Sequence, residues 1–156
     1  MADDRQLVQQ LLTHAQPQLP DFTQQALANT AWALATLRHY DQRFMEQLLR
    51  QSMEKVSGLN SQDISNTLWA LATFGYSNSA FVDRAVRRLL LLEREDIGGQ
   101  GLGNTLWSLS MLQHDAGAVA GPFFAAAVAW FATSVSPAAD FALELQLLQV
   151  HRYWSR

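Results

Sequence analysis

The sequence predicts an all-α protein: an α-solenoid of paired antiparallel helices, with about three clear repeats of 37–38 residues and a degenerate terminal one. Three observations carry this prediction. First, near-copies recur. NTAW occupies 29–32, and NTLW occupies both 66–69 and 104–107, so that Asn29 to Asn66 is 37 residues and Asn66 to Asn104 is 38. Second, the windows QALANTAWALATL (25–37), QDISNTLWALATF (62–74) and QGLGNTLWSLSML (100–112) share Gln, Asn, Thr, Trp and Leu in register. Third, eight Gly and four Pro are too few for a many-turned β fold, while 49% hydrophobic residues suffice for a continuous core. A period near 38 with two helical segments per unit is the signature of a helical-repeat array.

Taken in order, a leading helix is expected over 5–15, then repeat units over 22–56, 59–92 and 97–134, all in one helical-repeat domain spanning 1–156. Each unit has a helix B, the conserved window, followed by a helix A at 41–56, 79–92 and 122–134. Thr23 is placed to cap the first helix B. Asn60 or Ser61 can cap the second, and Gly75 ends it. Gly98 and Gly99 suit the turn into the third, with Gly101 and Gly103 allowing close packing, and Pro122 fits a first helical turn. A last helix over 140–154, ALELQLLQVHRYW, has lost the Asn–Trp pair, as terminal repeats often do.

At about 100° per residue, each helix B divides into three faces. Leu27, Ala31 and Leu34 form an apolar stripe, matched by Ile64, Leu68 and Leu71 and by Leu102, Leu106 and Leu109. This stripe is expected to pack on the A helices. Small flanks (Ala28, Ala33, Ala35; Ser65, Ala70, Ala72; Gly103, Ser108, Ser110) let neighbouring B helices lie close. The remaining stripe carries Gln25, Asn29 and Trp32, then Gln62, Asn66, Trp69 and Thr73, then Gln100, Asn104 and Trp107. Stacking the repeats aligns these residues as a ladder. The ladder has two readings, a buried amide zipper between repeats or a surface that binds an extended polymer. Amides bond to polar groups and indoles stack on bases, at about 1–3 kcal/mol per base. Arg38, His39, Tyr76 and His114 fall at the rim between the layers.

Several classes are disfavoured. With no cysteine there is neither a disulfide framework nor a thiolate metal site. The four histidines lack metal-ligand spacing and no nucleophile–base set stands out, so neither a metal, a cofactor nor an enzyme is expected. DIGGQGLGN is not a phosphate loop, because no Lys-Ser/Thr follows it. The acidic start MADDRQLVQQLL is neither a secretory signal nor a transit peptide. The uncharged stretch Ala116–Ala139 is long enough to span a bilayer, but it contains Gly117, Gly121 and Pro122 and falls where the repeat requires a helix, so no membrane role is expected. A net charge of −3 argues against a strongly basic nucleic-acid binder. Local cations nevertheless exist on the A helices: Arg43, Arg50 and Lys55, then Arg84, Arg87 and Arg88.

The windows QALANTAWALATL and SQDISNTLWALATFGY, at a period near 38, resemble octotricopeptide repeats and the helical region of Fas-activated serine/threonine kinase-like proteins. The ending ELQLLQVHRYW is similar to the unit preceding a RAP domain. The resemblance covers about residues 22–154 and implies RNA binding in a chloroplast or mitochondrion, in transcript stabilisation, processing, splicing or translation, or as an organellar ribosome-associated factor. RNA, single-stranded or ribosomal, is the expected partner. The other reading is a protein–protein scaffold that holds an extended peptide or partner helix on the same ladder. Little capping and apolar ends near the first helix A and Val150–Trp154 point to protein partners, a larger complex or a longer chain.

Overall fold

The computed structural model describes residues 2–93, 96–112, 121, 123–127 and 129. Helices are α1 (Ala2–Ala15), α2 (Gln24–Thr36), α3 (Gln42–Glu54), α4 (Ser61–Phe74), α5 (Ser79–Leu89) and α6 (Gly99–Met111), with 3-10 turns at Gln16–Asp21 and Val56–Gly58. The described residues include no strand. The all-α expectation therefore holds, and α2, α4 and α6 coincide with the three conserved windows to within a residue at each end.

Local chemistry explains the helix starts. Thr23 Oγ accepts from the Ala26 amide, Asp41 from Phe44 and Asn78 from Phe81, at 3.1, 2.9 and 3.0 Å. Asn60 and Asp63 form a reciprocal capping box: Asn60 Oδ1 accepts from the Asp63 amide at 2.8 Å, and Asp63 Oδ2 accepts from the Asn60 amide at 3.2 Å. Each cap contributes about 1 kcal/mol. α6 differs, since it begins after Gly98 with no side-chain cap.

α2 and α4 end alike. The Gly75 amide donates to the Ala72 carbonyl and Tyr76 to Leu71, at 3.1 and 3.0 Å, while Arg38 donates to Ala35 and His39 to Leu34 at the same distances. This is a Schellman motif, which needs a left-handed residue. Gly75 adopts φ 63° at no steric cost, whereas Arg38 adopts φ 52° and is the one non-glycine residue with positive φ among those described.

The helices pack in two sets. α4 lies between α2 and α6, and α3 and α5 pack beneath them. The stripe of Leu27, Leu34, Ile64, Leu68, Leu71, Leu102 and Leu106 is buried against Phe44, Leu48, Phe81 and Val86 of the lower set in one core. Thr67 and Thr105 are buried between the upper helices, each returning its hydroxyl to the carbonyl four residues back, at 2.8 Å. Two cations tie the sets together. Lys55 Nζ donates to the Pro20 and Phe22 carbonyls at 2.6 Å, and Arg88 Nε donates to the Leu59 carbonyl at 3.0 Å. Phe22 and Leu59 occupy one repeat position, so both cations fasten the segment entering a helix B. At the leading end, Gln9 donates to Asp41 at 2.9 Å and lies 3.1 Å from His39 Nε2, which anchors α1 to the α2–α3 loop.

The structure differs from expectation in detail. α3 ends at Glu54 and α5 at Leu89, earlier than 56 and 92: the chain tightens into the 3-10 turn Val56–Gly58 after α3, and after α5 the Leu91 and Leu92 amides donate three residues back, to Arg88 and Leu89. The 3-10 turn at Gln16–Asp21 was not foreseen; Pro17 and Pro20 prevent α1 from continuing, and Leu19 anchors the turn in the core. Gly101 is less crowded than expected, since an added Cβ would meet Ser65 Oγ at 3.7 Å, an ordinary contact. Leu7 and Leu11 on α1 are exposed, an apolar surface at the leading end. Residues 123–127 are helical, with Phe123 and Ala127 buried, within the third helix A. Apart from 121, 123–127 and 129, the remainder of 122–134 and of the Ala116–Ala139 stretch, and the last helix at 140–154, lie outside the described residues.

Two stability changes are expected. Left-handed backbone costs a side-chain-bearing residue about 1–2 kcal/mol, partly offset by the greater unfolded-state freedom of glycine, about 0.4–1 kcal/mol. Arg38→Gly should therefore raise stability by roughly 0.5–1 kcal/mol, read as a higher denaturant midpoint. Asp63 has its pKa raised by burial, opposed by the hydrogen bond from the Asn60 amide. A folded-state pKa above the unfolded value means that this group loses stability for the protein as pH rises through the carboxylate range. Asp63→Asn should raise the melting temperature at pH 7, with the gain fading as pH falls through that range.

Candidate functional site

The Gln–Asn–Trp stripe lies on the side of α2, α4 and α6 away from α3 and α5. Gln25, Asn29 and Trp32 are exposed on α2; Gln62 and Thr73 are exposed on α4, with Asn66 and Trp69 half-buried; Gln100 is exposed on α6, with Asn104 and Trp107 half-buried. No helix among the described residues covers the stripe. Adjacent rungs do touch. Asn66 Nδ2 donates to Asn29 Oδ1 over a long 3.5 Å, and the Trp32 and Trp69 ring centroids lie 6.5 Å apart at 37°. The amide zipper thus exists between the first two rungs, but at the surface rather than in a core.

The charge on this face is unusual. Asp63 is the single charged residue in α2, α4 and α6, and it is buried in its capping box. The exposed stripe is therefore built of neutral amides, hydroxyls and indoles. It can donate and accept hydrogen bonds in pairs and can stack flat rings. It offers no ammonium or guanidinium group to a phosphate.

The rim residues separate. Arg38 is exposed at the C-terminal end of α2. His39 is taken up by Gln9 and is part of the α1 anchor. Tyr76 is half-buried beside Tyr40, with ring centroids 6.1 Å apart, and Tyr40 also packs on Phe74 at 5.0 Å. Burial, then Tyr76, Glu46 and Asp41, raise the Tyr40 pKa. Sequence reasoning missed Tyr40 because Ser77 holds its repeat position, so no periodic signal marks it. His114 lies outside the described residues. Among the cations, Lys55 and Arg88 are engaged with backbone carbonyls, while Arg43, Arg50, Arg84 and Arg87 are exposed on α3 and α5, the set opposite the stripe. Among the described residues there is no cluster of metal-ligating side chains, and no helix long and apolar enough to cross a membrane.

Fold and surface together define an all-helical protein that displays a periodic, uncharged amide–indole face. Residues 1–79, half of the chain and all of α1 to α4, match the family RESC6, RNA-editing substrate-binding complex 6 protein, and the chain belongs to that family. Comparisons with curated proteins and with solved structures returned no match. Membership connects the chain with RNA-editing complexes and so, in general terms, with RNA.

The family match corrects the octotricopeptide reading and the related Fas-activated kinase-like and RAP-associated readings. The structure shows why the motif misleads. Its Leu is demanded by the core, its Thr and small residues by helices lying side by side, and its Asn, Gln and Trp share the face left over. Such a pattern marks two-layered helix packing and does not distinguish one family from another. The match also takes in α1 and the turn at Gln16–Asp21, which the resemblance left out.

Unequal exposure along the ladder should be measurable. Trp32 is 45% exposed, more than Trp69 or Trp107. Trp32→Phe should remove a larger share of the iodide-quenchable fluorescence than Trp69→Phe or Trp107→Phe.

Proposed function

We propose that this chain is a non-catalytic RNA-binding α-solenoid that acts within an RNA-editing substrate-binding complex. The reading takes residues 1–156 as one helical-repeat domain, with the ladder of Gln25, Asn29, Trp32, Gln62, Asn66, Trp69, Gln100, Asn104 and Trp107 as the RNA-contacting face. One observation carries it: the periodic Gln–Asn–Trp stripe reaches solvent on all three helices, while the periodic leucine stripe is buried in packing. A face that no other helix among the described residues covers, and that repeats amide and indole at each step, suits a polymer with a repeated hydrogen-bonding ring. Family membership supports RNA as that polymer and other proteins of a complex as partners. The family is compatible with an organellar setting, and of the two organelles expected we place the chain in the mitochondrion, since nothing supports the chloroplast.

A second reading keeps the same face but gives it an extended peptide from a fellow subunit. The lack of charge on the stripe favours it, because a peptide has no phosphates to neutralise.

Asn66→Ala combined with Trp69→Ala tests the face. Loss of one stacked base should weaken single-stranded RNA binding about five- to a hundred-fold, following from roughly 1–3 kcal/mol, with far-UV circular dichroism unchanged. The readout is fluorescence anisotropy on a pool of single-stranded RNAs. Undiminished RNA binding by a folded double variant would remove this face as the RNA site.

A further inference from the structure

The two gaps between rungs are built differently. Between α2 and α4 the gap is closed, with Asn66 bonded to Asn29 and Trp69 against Trp32. Between α4 and α6 no such bond forms: the side chains of Gln62, Gln100 and Asn104 make no hydrogen bond among the described residues. A cleft of about 330 Å³ opens there, lined by Gln62, Ser65, Asn66, Gln100, Gly101 and Asn104. That volume is at the lower end of the range for small-ligand sites, about 300–1,000 Å³.

The physical cause is in the sequence. Gly101 replaces the Asp63 of α4 and the Ala26 of α2 at its repeat position, so the floor of the cleft is a bare backbone beside the Ser65 hydroxyl, which an added Cβ would meet at 3.7 Å. Ser65 Oγ is itself occupied in donating to the Gln62 carbonyl at 3.1 Å, which leaves the amides as the free recognition groups. Each amide presents a donor beside an acceptor, the arrangement that pairs with the edge of a nucleobase.

Resting on the RNA reading above, we propose that the α4–α6 cleft is a base-selective slot. One unpaired nucleobase of the bound strand enters edge-first and is read by the amides of Gln62, Gln100 and Asn104. The α2–α4 junction, its amides already paired with each other, contributes stacking on Trp32 and Trp69 without selecting a base. Selectivity therefore resides at one junction of the ladder rather than at every repeat.

The test measures affinities of the full chain for four homopolymeric RNA oligonucleotides by fluorescence anisotropy. Wild type should rank them, with the preferred base favoured about five- to a hundred-fold, as one well-made bidentate contact gives. Gln100→Ala combined with Asn104→Ala should collapse the ranking toward equality while the less favoured oligonucleotides still bind. Asn29→Ala should preserve the ranking, whatever it does to overall affinity. Thermal melts followed by circular dichroism establish that both variants are folded. A ranking unchanged in the double variant, or lost equally in Asn29→Ala, overturns the slot and leaves the RNA reading standing. Failure of every oligonucleotide to bind wild type overturns the RNA reading and the slot with it, and points to the peptide ligand.

Discussion

The structure depends on three helices lying side by side. α2, α4 and α6 can touch along their length because the facing positions are Ala, Ser, Thr or Gly, among them Ala28, Ser65, Ala70, Thr67, Gly103, Thr105 and Ser108. Close approach has a condition, since a buried hydroxyl without a partner would cost about 1–3 kcal/mol. The helices meet it internally. Thr30, Thr67, Thr105, Ser108 and Ser110 each donate to the carbonyl four residues earlier, and no buried side-chain polar atom is left without a partner among the described residues. Once the sides are occupied by small residues and the bottom by leucine, the large polar and aromatic residues have only the outer face.

That chain of consequences is why so much was legible beforehand. Core, flank and stripe follow from a helical period applied to three aligned windows, and the structure distributes burial accordingly: Leu27, Ile64 and Leu102 inside, Gln25, Gln62 and Gln100 outside. Caps at Thr23 and Asn60 and the stop at Gly75 were readable because each depends on one residue with a distinct conformational preference. The contacts that escaped notice are those that do not repeat. Gln9 with His39 and Asp41, and Tyr40 with Phe74, join residues 30 to 34 positions apart with no counterpart in the next unit, and the tie from Lys55 to Phe22 recurs at Leu59 only through a cation of another type at another register, Arg88. Family assignment from the motif failed for the complementary reason. What repeats in this chain is what packing requires, and packing requirements are shared widely among helical arrays.

The charged residues show the same division. Arginines on α3 and α5 suggest a basic track in the sequence, but Lys55 and Arg88 serve as ties to backbone carbonyls, one on the segment that leads into α2 and one on the segment that leads into α4. Each of these cations holds the segment before an upper helix onto the lower layer, at one repeat position, Phe22 and Leu59. The cations of the lower layer thus serve the fold from the side opposite the ladder.

The neutrality of that face bears on how fast it can work. Long-range capture of a charged polymer relies on a field that reaches beyond contact distance, and oppositely charged surfaces can lift association from about 10⁵–10⁶ M⁻¹s⁻¹ toward 10⁸–10⁹ M⁻¹s⁻¹. A surface whose sole charge is the buried Asp63 projects little field of its own, and the chain as a whole, at −3, repels an anion at a distance. Encounter with any ligand at the ladder would proceed at the unsteered rate and be decided by lifetime after contact. Rapid capture of a charged polymer would have to come from a different, basic surface.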